Sequence, residues 1–423
     1  MIIGIDASRA NRQYKSGTEW YAYHLIRELA KIDGKNQYIL YTDQPLTNGL
    51  VDLTLDQGET HPYPPLSGKG NQEIISPFHN FRCKIIKQFL PFFWTQLNLS
   101  LEMLFHPPDV LFIPSHTLPI IHQRKSVVTI HDVGFVRDHK LYGNKRIGPT
   151  DLIRGFLLNW LVKIISLGKY GANIFDYHVW STKFALKHAK KIITVSQFSK
   201  KEIEEIYSVD SKKIQVIYHG YDNNLYQPMI DFEKINQVLN KYGIKQPYIF
   251  YAGRLEKKKN TPTLIEAYAI MREKHKNIKH KLVLIGNAGY GFDEVNYTIH
   301  KFNIDKEIIL TGWMAEEDMP FIYNGAKAFI FPSCYEGFGI PLLQAMACNT
   351  AIVASNIPAV SEVVKDSALL FDPFNKIEMA EAMTKIIIDD NLRHDLIAKG
   401  QGRVKNFSWE KCARETLAVL ENL

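Results

Sequence analysis

Short and nearly continuous apolar runs recur along the whole chain, and helical patterns separate many of them. Most runs do not alternate between apolar and polar positions, which is typical of parallel strands that helices cover on both faces. The runs lie at residues 2–5, 38–41, 110–113, 127–130, 192–195, 214–218, 248–251, 282–285, 308–310, 328–331, 351–353 and 369–371. The pattern predicts an α/β protein built on parallel sheets.

The runs fall into two groups, which predict two doubly wound Rossmann-like domains that face a central cleft. In the second group, strand and helix patterns alternate at short intervals, as in one doubly wound unit. The boundary is predicted within residues 220–246, because Gly220 and Pro228 flank a polar stretch that interrupts regular structure. We therefore predict an N-terminal domain at residues 1–222 and a C-terminal domain at 223–407.

Two insertions interrupt the first group. Residues 46–81 are rich in Pro, Gly, Asn and Gln, which predicts a long loop. Residues 153–165 predict an amphipathic helix, whose wide apolar face consists of Ile153, Phe156, Leu157, Trp160, Leu161, Ile164 and Ile165. A cationic helix with an interfacial Trp is typical of a membrane surface, and an ordinary helix packed on the core is the alternative.

Composition changes this picture little. The 423 residues carry a formal net charge of +7, which suits an anionic substrate or membrane surface but is small beside 51 basic and 44 acidic residues. No run of eighteen apolar residues occurs, and the chain opens on an apolar run with no cationic segment before it. The four cysteines form no Cys-x-x-Cys pair. We expect a cytoplasmic protein with reduced thiols.

The most informative segment for chemistry is residues 331–343. Pro332 ends an apolar run, a glycine-rich loop carries Glu336, and Pro341 suits the first turn of a helix. The helix amides near Gly339 and Ile340 could bind a phosphate, while Glu336 could bind a sugar hydroxyl. The alternative is a strand-to-helix turn whose glycines serve geometry alone.

A basic loop follows the first strand of the second group. Arg254 and residues 257–259 come directly after the strand that ends at Gly253, where a ligand crevice is expected. Arg suits bidentate contacts with phosphate oxygens and Lys acts as a point charge. Another strand ends at Gly286, which is weak evidence for a nucleotide near that residue.

In the first group, two segments could contact a ligand in the predicted cleft. His131 ends a strand and could hydrogen-bond a substrate hydroxyl, although a structural histidine is the usual alternative. Gly17 and Thr18 follow the loop after the first strand and precede a helical pattern, so their backbone could approach an anion.

Taken in order, these motifs resemble those of glycosyltransferase family 4. The match covers the whole chain, and the motifs are Thr194-Val-Ser196-x-Phe-Ser199, Val216-Ile-x-x-Gly220-x-Asp222, Gly253-Arg254-Leu-Glu-x-x-Lys259-Asn260, Glu336-Gly-Phe-Gly-x-Pro and Ala368-Leu-Leu-Phe-Asp372-Pro. The resemblance implies a retaining, nucleotide-sugar-dependent enzyme of the two-domain GT-B fold. It also implies that the helix at about 408–423 packs back on the first domain.

The resemblance also implies roles for single residues. Arg254 and Lys259 would hold the donor diphosphate, and Glu336 would contact the donor sugar near the reacting centre. His131 would lie between the donor sugar and the acceptor hydroxyl. No metal or other cofactor is expected, since the cations and helix amides would neutralise the leaving diphosphate.

The sequence departs from the family at two places. The family's second glutamate, which binds the nucleotide ribose, is Gln344 here, and the amide could only form a neutral hydrogen bond with a hydroxyl. The loop at Gly17 carries fewer glycines than is usual in the family. Gln344 leaves a non-catalytic nucleotide-sugar-binding protein as an alternative. A nucleotide-sugar epimerase is another, since it could share the two-domain architecture.

We interpret the chain as a retaining transferase that moves a hexose, of mannose or glucose type, from a nucleoside diphosphate sugar to a hydroxyl acceptor. A glycan or lipid-linked intermediate of cell-surface polysaccharide synthesis is the expected acceptor. Peripheral contact with the inner face of an anionic membrane is a further expectation, and no nucleic acid partner is expected.

Overall fold

The computed structural model describes residues 1–47, 49–53, 79–87, 94–143, 146–147, 152–165 and 168–423. Most of the long loop predicted at residues 46–81 lies outside these described residues.

The described residues form two parallel sheets, and the first sheet has seven strands in the order β3-β2-β1-β4-β5-β6-β7. These strands are β1 (Ile2–Asp6), β2 (Gln37–Thr42), β3 (Phe81–Ile85), β4 (Val110–Ile113), β5 (Ser126–Ile130), β6 (Lys191–Thr194) and β7 (Ile214–Val216). In the central register, Ile3 lies opposite Tyr38 on one side and Val110 on the other.

The second sheet has six strands within the described residues, in the order β10-β9-β8-β11-β12-β13. They are β8 (Tyr248–Ala252), β9 (Lys281–Ile285), β10 (Ile308–Gly312), β11 (Ala328–Phe331), β12 (Ile352–Ser355) and β13 (Leu369–Phe371). The order of strands reverses between β8 and β11, as in doubly wound nucleotide-binding folds.

Helices connect the strands and cover both faces of each sheet. They are α1 (Gly17–Ile32), α2 (Ser100–Phe105), α3 (Gly134–Arg137), α4 (Leu152–Ile165), α5 (Ile174–His188), α6 (Gln197–Tyr207), α7 (Phe232–Lys241), α8 (Thr261–Lys274), α9 (Phe292–Lys301), α10 (Met319–Gly325), α11 (Ile340–Ala347), α12 (Pro358–Val364), α13 (Lys376–Ile388), α14 (Asp390–Val404) and α15 (Trp409–Glu421).

The continuous apolar runs arise because both faces of each sheet are buried. Along β8, Tyr248 and Phe250 pack into one core while Ile249 and Tyr251 pack into the core on the opposite face. A strand with two buried faces has no solvent side, so it needs no alternating polar positions. The predicted fold class of two doubly wound parallel-sheet units is confirmed.

The last helix, α15, packs against α1, one of the helices that cover the first sheet. Ser408 caps it by accepting a hydrogen bond from the Lys411 amide at 3.1 Å, which fixes where the helix begins. Trp409 and Leu420 then share a core with Tyr21 and Leu25 of α1. The division at residues 222/223 remains a prediction.

Helix α4 presents apolar side chains at the surface. Phe156, Leu157, Trp160, Leu161 and Ile164 of α4 are each about half exposed, so these side chains do not form a core-packed face. Of the helices in the described ranges, none combines the length and apolar character needed to cross a membrane.

Candidate active site

The candidate site lies where the strand order of the second sheet reverses. One loop follows β8 and carries Arg254 and Lys259, and another follows β11 and carries Glu336. Ligands of doubly wound sheets bind outside the carboxyl ends of the strands at this switch point. The two loops predicted from sequence therefore flank the same crevice.

Lys259 and Glu336 meet across this switch point. The ammonium nitrogen of Lys259 lies 2.5 Å from Oε1 of Glu336, and both side chains are largely buried. Water screens a pair in this setting little, so the two charges attract each other more strongly than an exposed pair would. Each group holds the other in position at the edge of the crevice.

The helix that follows Glu336 begins at a strained glycine. Gly339 has a φ of +102°, a conformation that favours glycine, and it occupies the N-cap position of α11. Pro341 lies in the first turn, where its missing N–H costs no hydrogen bond. The Leu342 amide already donates to the Gly339 carbonyl at 3.0 Å, so the amides of Gly339 and Ile340 are the donors that could bind an anion.

Arg254 lies at the rim of the crevice and is mostly exposed. Its Nε atom lies 3.8 Å from a carboxylate oxygen of Glu256, so it is only loosely held. The neighbouring Gly253 approaches Gly286 so closely that a Cβ on Gly286 would lie 2.0 Å from the Gly253 carbonyl oxygen. Gly286 is thus required by backbone packing, whatever its part in nucleotide binding.

His131 comes from the end of β5 in the first sheet. Burial lowers the pKa of His131 to about 4, so the ring is neutral at pH 7. Its Nε2 atom lies 3.2 Å from the carbonyl oxygen of Pro114, which can only accept, so Nε2 carries the proton. The Nδ1 atom is left as a hydrogen-bond acceptor.

The next residue, Asp132, joins the two sheets through an ion pair. A carboxylate oxygen of Asp132 lies 2.9 Å from the ammonium of Lys258, beside the rings of Tyr142 and Tyr335. Burial alone would raise the pKa of Asp132, but the Lys258 charge outweighs it and holds the pKa below its usual value. Both groups are therefore charged at neutral pH.

The Glu336 loop also touches the first sheet through its backbone. The Ser196 hydroxyl donates to the Gly337 carbonyl at 2.7 Å. A Cβ on Gly337 would lie 1.9 Å from the His131 carbonyl oxygen, so only glycine permits this approach. Glu336 and His131 are in this way held on neighbouring backbone segments.

Gln344, one turn further along α11, is bonded to two side chains. Its carbonyl oxygen accepts from Tyr323 at 3.2 Å, and its amide nitrogen lies 3.3 Å from Oε1 of Glu316. Glu316 also accepts from Tyr226 at 2.5 Å. Gln344 therefore orients a carboxylate that the sequence reading did not identify.

Gly17 and Thr18 form the first turn of α1, after the N-cap Ser16. The Ser16 amide donates to Glu19 at 3.2 Å, which explains where the helix starts. A Cβ on Gly17 would meet no atom within 4 Å, so the backbone there faces open space.

A cavity of about 310 Å³ opens at the carboxyl edge of the first sheet. It follows the ends of β1 and β4, and its lining includes Asp6, Arg9, Trp94 and Tyr177. Aromatic faces beside polar side chains are the surfaces on which sugar rings can pack while their hydroxyls bond. Sequence reading missed this cavity because its lining residues are scattered along the chain.

Among the residues that the structure describes, no three His, Cys, Asp or Glu side chains are grouped closely enough to hold a metal ion.

The chain was compared with known protein families. It matches the model for group 1 glycosyl transferases over residues 231–403 and the model for glycosyltransferase family 4 over residues 15–225.

Curated relatives point the same way. The O-antigen chain mannosyltransferase B of Escherichia coli is 29% identical over 300 residues, which covers 70% of this chain and 77% of that protein. The serotype-specific mannosyltransferase WbdA of Escherichia coli is 26% identical over 54% of this chain, but the match spans only 28% of WbdA.

Solved structures share the whole fold at low identity. WaaG, described as a glycosyltransferase involved in lipopolysaccharide biosynthesis, has a TM-score of 0.68 at 13% identity and 99% coverage of both chains. The Anabaena protein HepE, solved in complex with UDP-glucose, has a TM-score of 0.66 at 15% identity and covers 100% of this chain and 99% of its own. These likenesses establish the two-domain fold that the strand order indicates.

Proposed function

The chain belongs to the group 1 glycosyltransferases of family 4, and from this premise we propose that it transfers a hexose, with retention, from a nucleoside diphosphate sugar to a hydroxyl acceptor. The observation that carries the proposal is the meeting of Lys259 and Glu336 at the switch point, directly opposite the His131 segment. An epimerase does not fit this family.

In the proposed reaction, the bond between the sugar C1 and the diphosphate oxygen breaks while the acceptor hydroxyl attacks the same face. The hydroxyl proton passes to the departing phosphate oxygen, so the diphosphate serves as the base. Charge develops on the sugar ring and on the leaving group, and catalysis requires groups that stabilise both.

Three features would stabilise the leaving diphosphate without a metal ion. Lys259 supplies a fixed positive charge, Arg254 can move in from the rim, and the amides near Gly339 and Ile340 donate hydrogen bonds. Glu336 would bind a sugar hydroxyl with the oxygen that Lys259 leaves free.

Because His131 is neutral, it would act through hydrogen bonds and not as a cation. Its Nδ1 atom can accept a hydrogen bond from a hydroxyl of the sugar or acceptor, which would orient that group. The cavity lined by Arg9, Trp94 and Tyr177 lies on the same domain and would receive the acceptor glycan.

The acceptor is proposed to be a glycan or lipid-linked intermediate of cell-surface polysaccharide synthesis, and the donor sugar to be of mannose type. The names of the Escherichia coli relatives support this choice. The exposed apolar face of α4 beside Arg154 and Lys163 supports peripheral contact with an anionic membrane on the cytoplasmic side.

The decisive experiment is a thermal shift of the pure protein with GDP, UDP and ADP in separate wells. A nucleotide at a hundred times its dissociation constant stabilises by about 2.7 kcal/mol. We expect a shift with one nucleotide, loss of that shift in Lys259→Ala, and an α-linked product when the matching sugar nucleotide and acceptor are supplied. No shift with any nucleotide would overturn the donor assignment.

A further inference from the structure

Glu316 lies on the loop after β10, at the same carboxyl edge of the second sheet as the candidate diphosphate site. Its Oε1 atom accepts hydrogen bonds from Tyr226 and from the amide of Gln344. Its Oε2 atom has no hydrogen-bond partner among the described residues, and the side chain is partly open to solvent. One carboxylate oxygen is fixed and the other is available.

Gln344 is poorly suited to bind a ligand by itself. Its carbonyl oxygen is already bonded to Tyr323, and one amide hydrogen is directed to Glu316. A neutral amide also forms weaker hydrogen bonds with hydroxyls than an ionised carboxylate does. The geometry points to Gln344 as a support for another residue.

The position of Glu316 suits a particular part of the donor. Gln344 follows Ile340 by four residues, about 6 Å along the axis of α11. The Gln344 and Glu316 pair is therefore within reach of the ribose of a nucleotide whose diphosphate is held at the first turn of α11.

We propose that Glu316 binds the ribose hydroxyls of the donor nucleotide through its free carboxylate oxygen, and that Gln344 and Tyr226 are positioning residues for it. This inference rests on the proposed function, since it requires a nucleotide in the crevice. A vicinal diol offers two donors, and a carboxylate held at one oxygen can accept from it without losing its own orientation.

The electrostatic setting agrees with this role. Burial raises the pKa of Glu316 to about 7, and Asp222 and Glu317 act in the same direction, while the hydrogen bonds from Tyr226 and Gln344 oppose it. The carboxylate form, which is the stronger acceptor, therefore increases as the pH rises from 6 to 8. The preference for a ribose diol should increase with it.

The test compares a nucleoside diphosphate with its 2′,3′-dideoxy counterpart, using whichever base shifts the wild-type protein. Dissociation constants are measured by titration calorimetry at pH 8 and pH 6. We expect wild type to prefer the ribose form at least tenfold at pH 8, and less at pH 6. In Glu316→Gln the preference should fall to about twofold at both pH values.

The matched control is Glu317→Gln, an exposed neighbour that should keep the wild-type preference at pH 8. Gln344→Leu and Tyr226→Phe should each reduce the preference partly, as expected of residues that orient Glu316. If Glu316→Gln does not fold, Glu316→Asp is used instead. It keeps the negative charge but shortens the side chain by one methylene, so the carboxylate lies further from the ribose and the preference should fall in the same way.

The outcomes separate the two proposals. An unchanged ribose preference in a folded Glu316 variant would overturn the role of Glu316 and leave the donor site standing. Failure of the wild-type protein to bind any nucleoside diphosphate would overturn the proposed function and this inference with it.

Discussion

At the scale of single residues, the three consecutive lysines after β8 have three different partners. Lys257 pairs with Glu294 at 2.5 Å near the surface, Lys258 pairs with Asp132 of the first sheet, and Lys259 pairs with Glu336. Sequence reading treated them as one basic cluster. Their partners lie far away in the chain, so only the folded structure separates a surface lysine from one that joins the sheets and one at the crevice.

We predict that Lys259→Ala lowers kcat/KM at least tenfold, about 1.4 kcal/mol in the barrier. The substitution removes a charge from the proposed diphosphate site and leaves the buried Glu336 without its partner. Arg254→Ala should lower kcat/KM by a similar factor, but only because a cation is removed from the proposed diphosphate site. Steady-state kinetics with the matching sugar nucleotide measure both.

The control for these variants is Lys257→Ala. Its ion pair with Glu294 is partly exposed, with 35% and 52% of the two side chains accessible, so its loss should change kcat/KM by less than about twofold. Near-normal rates in Lys259→Ala would remove that residue from the mechanism.

A second residue-scale prediction concerns stability and pH. The pKa of Glu316 in the folded protein, about 7, lies above its ordinary value because of burial first, and then Asp222 and Glu317. A carboxyl with a raised folded pKa contributes stability at low pH that is lost as the pH rises through that value. Glu316→Gln has no such loss, so its melting temperature relative to wild type should rise between pH 5 and pH 8.

Differential scanning calorimetry across this pH range provides the measurement. Asn236→Ala, at an exposed position of α7, removes no titratable group and serves as control, so its difference from wild type should not change with pH. A parallel pH dependence in wild type and Glu316→Gln would contradict the raised pKa.

At the scale of elements, every apolar run identified in the sequence became a strand, since buried parallel strands require apolar residues on both faces. The strand that sequence reading missed is β3, Phe81–Ile85. Within the described part of the chain it pairs only with β2, at the sheet edge, and Arg82 and Lys84 interrupt its apolar pattern. An edge strand is only half covered, so it lacks the continuous pattern of its neighbours.

The candidate site was predictable to the extent that it lies at strand ends. Glu336 and Lys259 follow two strands that prove to be adjacent in the sheet, so their loops had to converge. Glu316 was not predictable in this way, because its proposed role in ribose binding depends on a side-chain hydrogen bond from Gln344, which only the folded structure shows.

Helix α4 gives a prediction at the same scale. Its exposed Trp160 and Leu161 would insert into the lipid interface, and each apolar side chain contributes about 1.5–3 kcal/mol when fully buried. The double variant Trp160→Ser with Leu161→Ser should lower binding to anionic liposomes at least tenfold in co-sedimentation at low salt. Its melting temperature should stay close to that of wild type, since these side chains are half exposed.

The matched control replaces two exposed apolar residues on the second domain, Phe374→Ser with Ile377→Ser. This variant should sediment with liposomes like wild type. Equal loss in both double variants would mean that α4 has no special role, and no sedimentation of wild type would overturn the membrane contact.

At the scale of the whole molecule, Glu362 of α12 connects the second domain to the first. Its two carboxylate oxygens accept from the Gln197 and Phe198 amides at 2.7 and 2.9 Å, at the N-terminus of α6, and Tyr218 donates to it at 2.9 Å. A carboxylate at a helix N-terminus is favoured by the helix dipole as well as by these bonds. The Arg403 guanidinium donates a hydrogen bond to the backbone carbonyl oxygen of Glu362 at 2.9 Å.

This contact joins the two domains beside the crevice, so we predict that Glu362→Ala shifts the two domains toward a more open form. Hydrogen bonds to a charged group contribute about 1.5–3 kcal/mol each, which makes a shift of at least tenfold in the closed-to-open ratio reasonable. Solution scattering without ligand should then give a larger radius of gyration than wild type, and the matching nucleotide should restore the compact form. Transfer should slow while hydrolysis of the donor rises relative to transfer, because an open cleft admits water. Glu410→Ala, which breaks an exposed pair with Arg414 on α15, should leave both the scattering and the rates unchanged. A Glu362→Ala protein with wild-type scattering and wild-type partition between transfer and hydrolysis would mean that Glu362 is not needed to hold the cleft closed, and that other contacts between the domains, such as Asp132 with Lys258 and Ser196 with Gly337, suffice.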